Sequence, residues 1–582
     1  MDSNKYYTDE RNVQIVISLL KAHGIRKVIA SPGTTNMTFV GSIQNDPFFE
    51  IYSVVDERSA AYMACGMAAE SGEPVVLSCT GATASRNYMS GLTEAYYRKL
   101  PVLAITSHRG DFHIGHLKDQ QIDRRSRPAD IAVESVTIPL VKDEGDARFC
   151  EIEGNKAILA LRQNGGGPVH INMFTAYSRN FTVKTLPEIR VIRRYIINDP
   201  LPELPSGRTA IFIGSHRRFT DEETALIDKF CAVHDAVVFC DHTSGYDGAY
   251  KIIWGLVACQ RQYKSELSKI DTLIHLGEIP GSVYIGLAPK KVWRVSEDGA
   301  LRDLFGKLTD VFQMSELLFF KAYSDGEGGK MRYLQACKEE YQKIYELVPD
   351  LPFGNIWIAK NISDKLPSCE LHFGILNSLR SWSFFNISQG IYGNCNVGGY
   401  GIDGGISSMI GASLASSEKL FIGIFGDLAF FYDMNSLGNR HVGKNMRIML
   451  INNGRGTEFR NYGHPCYPYG ESADEFMAAA GHFGNKSLQL VRHYAEDLGY
   501  KYITASNKEE FNAVYKDFLS PELKQSMIFE VFTDTKDESD ALEKICNLRE
   551  MPKNGIEKLK GTVKDIVGSK GIKAMKKLLG KE

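Results

Sequence analysis

Two strand-like runs in the last third of the chain end in oxygen-bearing side chains. IGIFGD closes on Asp427, RIMLINN closes on Asn452 and Asn453, and Asn453 follows Asp427 by 26 residues. An acidic residue at one strand end and an amide at a neighbouring one can converge on a hard divalent cation, which takes oxygen ligands and retains a phosphate of its substrate. Taken alone, Asp427 could equally cap a helix and the two Asn make a turn. A second carboxylate, Glu57, stands in VVDERSAAYMACGMAAESG at a strand end and at the start of an alanine-rich helix. The plain alternative there is a first-turn acid that complements the helix dipole. The loop TSHRGDFHIGH gathers Arg109 with His108, His113 and His116. These could bind a carboxylate or phosphate or shuttle a proton, and each histidine could equally face solvent.

The elements that must position these groups read as an alternation. Helix-like VQIVISLLKAHG is followed by the short apolar runs KVIASPG, FEIYSVVDE, PVVLSCTG, PVLAITS and GPVHINMF. Such alternation argues a parallel α/β sheet, whose ligands bind beyond the carboxyl ends of the strands. A looser stretch with Pro200, Pro202 and Pro205 precedes a second alternation: TAIFIG, AVVFCDH, DTLIHLGE and KKVWRVSED. It lacks a GxGxxG after its first strand, which weakens a dinucleotide reading. A third begins after KMRYLQACKEEYQKIYELV: ELHFGILN, a glycine-rich loop, helix-like ISSMIGASLAS, then KLFIGIFGD, MRIMLINNG and MIFEVFTD. The expected organisation is three α/β domains at 1–185, 195–340 and 346–540, followed by a basic helical tail at 541–582.

At 582 residues, 43% hydrophobic and 24% charged, the chain is sized for several buried cores of ordinary composition. Lys plus Arg (68) nearly balances Asp plus Glu (70), so no global field draws it onto nucleic acid. Eleven cysteines without a CxxC pair suit reduced thiols. The start MDSNKYYTDERN lacks the order of a signal peptide, and the most apolar run, FIGIFGDLAFF, is split by Asp427. A cytoplasmic location is expected. From Lys553 to Glu582, nine Lys face three acids with apolar residues at helical spacing. A helix packing on its own protein is expected there, with docking on an anionic membrane surface as the alternative.

With SPG ahead of Glu57, CTGATASRNYMSGLTEAYYRKLPVLAITSHR behind it, and GD followed 26 residues later by NN, the chain resembles the thiamine-diphosphate-dependent enzymes. SPGTTN, DERSAAYMACGMA, CTGATA, DQQID, GPVHINM, GIDGGISS, GDLAFFYDMNSL and INNGRG together are most similar to the SEPHCHC synthase branch of the menaquinone pathway. Members of that branch decarboxylate 2-oxoglutarate and add the fragment to isochorismate; acetolactate-synthase-like enzymes are further relatives. The similarity spans residues 10 to 535 and is faint in the middle domain.

The resemblance implies the three-domain fold of that family (pyrimidine-binding, middle and diphosphate-binding) and, as cofactors, thiamine diphosphate and Mg2+. Asp427, Asn453 and the main-chain carbonyl of Arg455 would hold the metal, or Asn452 in a register one residue shorter. Gly426 and Leu428 would flank Asp427 against the cofactor. Glu57 would press a carboxyl on the aminopyrimidine ring, and Gln120, in DQQID, would reach that ring or the intermediate. Ile402, in GIDGG, would be the apolar wedge that bends the cofactor. Ser31, Gly33 and Thr34 would sit over the thiazolium, with Thr80 and Gly81 on its other side, and Arg109 remains at a family position. Ile402 could also be ordinary core and Gln120 a loop cap. A homodimer is then the smallest active assembly, with each site formed by the first domain of one subunit and the third of another, and a homotetramer is the alternative.

Departures from the family pattern bear on the substrate. Thr35 and Val397 stand where that branch has substrate-binding arginines, and GEIPGSVYIG carries no basic residue where the family has one. Thr and Val cannot replace the two-point grip of a guanidinium on a carboxylate, which argues against a dianionic acceptor such as isochorismate. The expected chemistry is decarboxylation of a 2-oxo acid with transfer of the acyl carbanion to a carbonyl acceptor. Simple decarboxylation of the phosphonopyruvate or sulfopyruvate type, acyl transfer to a keto sugar, and an inactive cofactor-binding scaffold are the alternatives.

Overall fold

The structure is a computed structural model describing residues 6–124, 126–329, 331–478 and 487–549. The basic stretch from Lys553 onward, and with it the packing or surface-docking expectation, lies outside the described residues. Two compact units form: unit 1 is Met1–Pro200 with Asp298–Gln313, and unit 2 is Leu201–Glu297 with Met314–Glu582.

Unit 1 is built on β1 (Lys27–Ala30), β2 (Glu50–Ser53), β3 (Val75–Thr80), β4 (Val102–His108), β5 (Glu134–Ile138) and β6 (Val169–Phe174), in the order β2-β1-β3-β4-β6-β5. Every neighbouring pair is parallel. Two cores cover the sheet's two faces. One gathers Val13, Val16, Leu20, Phe39, Leu103 and Ile171 under the helices Arg11–Ala22 and Glu144–Ala160. The other gathers Ala60, Ala64, Leu77, Leu92 and Ala104 under the helices Glu57–Ser71 and Met89–Tyr97. The second pair of helices is close-packed: a Cβ on Gly91 would fall 2.4 Å from the Cβ of Ala61. Small residues at that crossing are what let the helix headed by Glu57 lie where it does. Unit 1 also holds β7 (Arg193–Ile196), which pairs in parallel with β13 (Leu308–Gln313).

Unit 2 carries β8 (Thr209–Ile213), β9 (Val238–Cys240), β10 (Lys251–Ile253), β11 (Lys269–Leu276) and β12 (Ala288–Val295), ordered β10-β9-β8-β11-β12. It also carries β14 (Glu370–Phe373), β15 (Tyr392–Cys395), β16 (Phe421–Gly426), β17 (Met446–Asn452), β18 (Lys501–Ala505) and β19 (Met527–Phe532), ordered β15-β14-β16-β17-β19-β18. All these ladders are parallel. The architecture is thus parallel α/β throughout, as the alternation predicts. Strands β16 and β17 are adjacent and pair Gly426 with Ile451, so their carboxyl ends open side by side. All eleven cysteines are unpaired. Among the described residues no helix is long and apolar enough to cross a membrane.

Candidate cofactor site

In unit 2 the chain leaves β16 at Gly426 and turns at once into the helix Asp427–Asp433, so Asp427 sits at a strand end and in a helical first turn. It is 2% exposed, accepting the Leu428 N–H at Oδ1 (2.8 Å) and the Gly456 N–H at Oδ2 (3.4 Å). The loop after β17 meets it from the other side. Gly454 and Gly456 both take positive φ (77° and 69°), a left-handed backbone that favours glycine and folds NNGRG back on itself.

The two asparagines diverge. Asn452 turns into the sheet and donates to Glu530 Oε1 (2.7 Å). Asn453 lines the cavity beside Asp427, donating to Thr457 Oγ1 (2.5 Å) and accepting the Arg455 N–H at Oδ1 (3.2 Å). The Arg455 side chain leaves the cavity for Glu471 (3.4 Å) and Asp474 (3.6 Å).

The cavity measures about 420 Å³, and Ile402, Gly426, Leu428 and Ile451 supply part of its wall. Sequence reading missed Glu538, which lies in the helix Thr535–Cys546, far along the chain and with no motif around it. It is buried on the cavity wall, where both carboxyl oxygens accept the Asn355 N–H (3.1 Å each). Burial, with the Asp427 charge nearby, pushes Glu538 up to about 7. Also missed was Arg380, buried and held two-pronged by Glu458, which lines the same cavity (2.8 and 3.0 Å). Among the described residues no cluster of three His, Cys, Asp or Glu could hold a metal. Asp427 and Asn453 bring one carboxylate and one amide to this cavity, oxygen donors of the kind a hard cation takes together with phosphate and water.

In unit 1 Glu57 opens its helix behind the N-cap Asp56, which accepts from the Ser59 N–H (3.3 Å) and hydroxyl (2.6 Å). Asp56 thus does the capping, and the half-buried Glu57 is left to accept from Asn87 Nδ2 at Oε2 (3.0 Å). Near the ends of β1 and β4, the buried hydroxyls of Thr35 and Ser107 have no hydrogen-bond partner among the described residues. Gly33 packs on Thr80, so closely that a Cβ on it would fall 2.1 Å from Thr80 Cγ2. Thr34 is exposed and Gly81 is buried against His108.

Arg109 is partly buried, paired with Asp119 through both its carbonyl and its carboxylate (3.1 Å to Oδ2), and lies 5.9 Å from the Tyr177 ring centre. Gln120 is exposed at φ 56° on the same loop, and no hydrogen bond joins its side chain to Glu57. The three histidines separate. His108 is buried, and burial together with the Arg124 charge lowers it to about 4. His113 lies against Phe112 and His116 is exposed.

Within unit 2, a buried carboxylate and an amide at adjacent strand ends share one cavity, an arrangement suited to a metal-bound diphosphate group. Residues 11–126 match the family described as thiamine pyrophosphate enzyme, N-terminal TPP binding domain. The 2-succinyl-5-enolpyruvyl-6-hydroxy-3-cyclohexene-1-carboxylate synthase of Phocaeicola vulgatus is 30% identical over 557 residues, covering 92% of this chain and 98% of the relative. The enzyme of the same name from Bacteroides thetaiotaomicron is 30% identical with the same coverage, and that of Flavobacterium psychrophilum 28% identical over 90% and 96%. The chain belongs to the thiamine-diphosphate-dependent enzyme family, close to these synthases, and its cofactor is thiamine diphosphate with a divalent metal, typically Mg2+.

Proposed function

We propose that this enzyme decarboxylates a 2-oxo acid and passes the acyl unit to a carbonyl acceptor, forming a carbon–carbon bond. The observation that carries the reading is the convergence of Asp427 and Asn453 on one cavity walled by Gly426, Leu428 and Ile402. In this reading residues 346–540 hold the diphosphate and cation, 1–185 hold the aminopyrimidine, and 195–340 form the middle domain. Asp427, Asn453 and the Arg455 carbonyl bind the metal; the turn of Asn452 toward Glu530 supports Asn453 as the ligand. When bound, thiamine diphosphate supplies a nucleophilic carbon that adds to the keto group and takes up the electron pair left by departing carbon dioxide.

Glu57 presses its carboxyl on the aminopyrimidine ring through Oε1, since Asn87 engages Oε2. Ser31, Gly33, Thr34, Thr80 and Gly81 line the head of the cofactor. Arg109 orients a substrate carboxylate, and Gln120 closes over the reacting centre. The working unit is a homodimer or homotetramer, and exposed Val55, Tyr62 and Met63 around Glu57 supply apolar surface for a second copy. Synthesis of the product named for the relatives is the second reading, favoured by their 98% coverage. Thr35 and Val397, both buried and neither cationic, weigh against an acceptor with several carboxylates.

Full-length protein with thiamine diphosphate and Mg2+, offered a panel of 2-oxo acids with and without aldehyde or ketone acceptors, tests the proposal. Release of carbon dioxide from at least one acid, and a ligated product only when the acceptor is present, is the expected outcome. Cofactor uptake without release from any acid would leave only a binding scaffold.

A further inference from the structure

Three guanidinium groups in unit 1 share one cavity. It lies between the loop after Gln120 and the helices Thr83–Asn87 and Met89–Tyr97, and it is lined by Arg86, Arg124 and Arg127 over an apolar floor of Leu92, Ala104 and Ile131. Among the described residues no carboxylate lines it. The cavity is narrow, about 30 Å³, room for roughly two waters.

Each arginine is bonded, among the described residues only to neutral groups. Arg124 donates to Thr106 Oγ1 and to Asn172 Oδ1 (2.5 Å each). Arg86 donates to the main-chain carbonyl of Asp123 (2.7 Å), and Arg127 to that of Ala132 (3.0 Å). Among the described residues none of the three forms an ion pair. Asp111 acts on Arg124 through space only, and its carboxylate lies nearest the ring of His108 (3.7 Å). A partly buried cation bonded only to dipoles has not recovered its hydration, and three like charges around one cavity repel one another.

The neighbouring imidazole contributes no charge of its own. Thr106 Oγ accepts from Arg124, so its hydrogen is directed to His170 Nε2 (2.8 Å), and the imidazole proton then sits on Nδ1 toward Ser135 Oγ (2.9 Å). Burial and the Arg124 and Arg127 charges keep that ring neutral, lowering it to about 3.

We propose that this cavity binds a carboxylate of formate size, its two oxygens taken by the remaining N–H groups of Arg124 with Arg86 or Arg127, and its C–H edge toward Leu92 and Ile131. A guanidinium offers five donors in a plane that matches a carboxylate, and the narrow interior excludes bulky anions. Occupancy has a structural consequence. Arg124 Nη2 lies 2.9 Å from where a Cβ on Gly81 would be, and Arg86 holds the Asp123 main chain. The anion therefore ties the loop that carries Gln120 to the ends of β3 and β4.

Ligand-observed NMR on the full-length, cofactor-loaded protein provides the test, with formate as probe and formamide as its neutral counterpart. Saturable uptake of formate but not formamide is expected, weakened at least tenfold in the Arg86→Gln/Arg127→Gln double variant, whose thermal midpoint stays at the native value. Because Arg124 is the more buried residue, Arg124→Lys serves as the second variant: it keeps the charge, loses the fork, and should also weaken uptake. The Glu57→Gln variant should bind formate as the native protein does, which separates this site from the proposed reaction. No formate uptake, equal uptake of the amide, uptake undiminished in the double variant, or uptake lost with Glu57→Gln would each overturn the proposal.

Discussion

The Asp427 cavity and the surroundings of Glu57 are held by different means. Asp427 is fixed by two main-chain N–H groups, stands 2% exposed at the junction of adjacent strands, and faces an amide whose own position is tied to the same loop. Glu57 has one side-chain partner, Asn87, and stands among apolar residues open to solvent, with Val55 78% exposed. The buried hydroxyl of Ser107 nearby has no hydrogen-bond partner among the described residues. The difference follows from the task. A cation and its phosphate are bound by preorganised oxygens and dipoles, which can be built entirely from strand ends and turns. In the proposed reading the Glu57 end is completed only when the open apolar surface beside it is covered by a second copy.

The comparison breaks most readily at Asp427. Replacing it by Asn keeps the shape and removes the charge, so uptake of thiamine diphosphate with Mg2+ should fall at least a hundredfold, about 2.7 kcal/mol. Calorimetry on dialysed protein reads this directly, and unchanged uptake would remove the cation from the Asp427 cavity. Glu57→Gln should behave in the opposite sense. Cofactor uptake should stay within about threefold of native while turnover drops by roughly 10²- to 10⁴-fold, the usual size of a lost acid–base group. A fall in both together would mean that the two regions are not divided into an anchoring and an activating end.

A smaller effect sharpens the reading of the two asparagines. Asn453→Ala should raise the Mg2+ concentration needed for half-maximal cofactor uptake while leaving the folded protein largely as stable as before. Asn452→Ala should do the reverse: Glu530, 1% exposed, would keep only Tyr502 as a side-chain partner. Leaving part of a buried carboxyl unsatisfied costs about 1–3 kcal/mol, seen as a lower denaturation midpoint. If the metal requirement follows Asn452 instead, the one-residue-shorter register is the right one.

The sequence was most informative where strands are buried on both faces. Residues of β4, β8 and β17 are buried from end to end, and their apolar runs are plain in PVLAITS, TAIFIG and MRIMLINN. The strands not foreseen, β5, β7, β10, β15 and β18, are sheet-edge strands, and β13 stands beside β7. Edge strands need less apolar surface, so ESVTI and KYITA carry polar residues that blur the pattern. The site divides in the same way. Asp427 and Asn453 were legible because strand ends fix their spacing. Glu538, Asn87 and Arg124 were not, since each reaches its place through tertiary packing that no local pattern records. The histidines of TSHRGDFHIGH show the opposite error: closeness in sequence suggested a cluster, and the fold put one inside and another in solvent.

His108 gives the smallest effect and tests that last point. Buried beside Arg124, it has a folded-state value of about 4 against about 6.5 in an unfolded chain. As pH falls below 6.5 the unfolded chain takes the proton first, so this contribution to stability is fully present above 6.5 and is lost progressively toward 4. Between pH 7.5 and 5 it should cost about 1 to 2 kcal/mol, read as a lower denaturant midpoint. His108→Asn retains an acceptor for the Gly110 N–H, now made to Nδ1 (3.2 Å), but cannot titrate. The variant should therefore show a shallower decline over the same range. An equal decline would place the acid sensitivity elsewhere and return His108 to the exposed loop group that its sequence neighbours suggested.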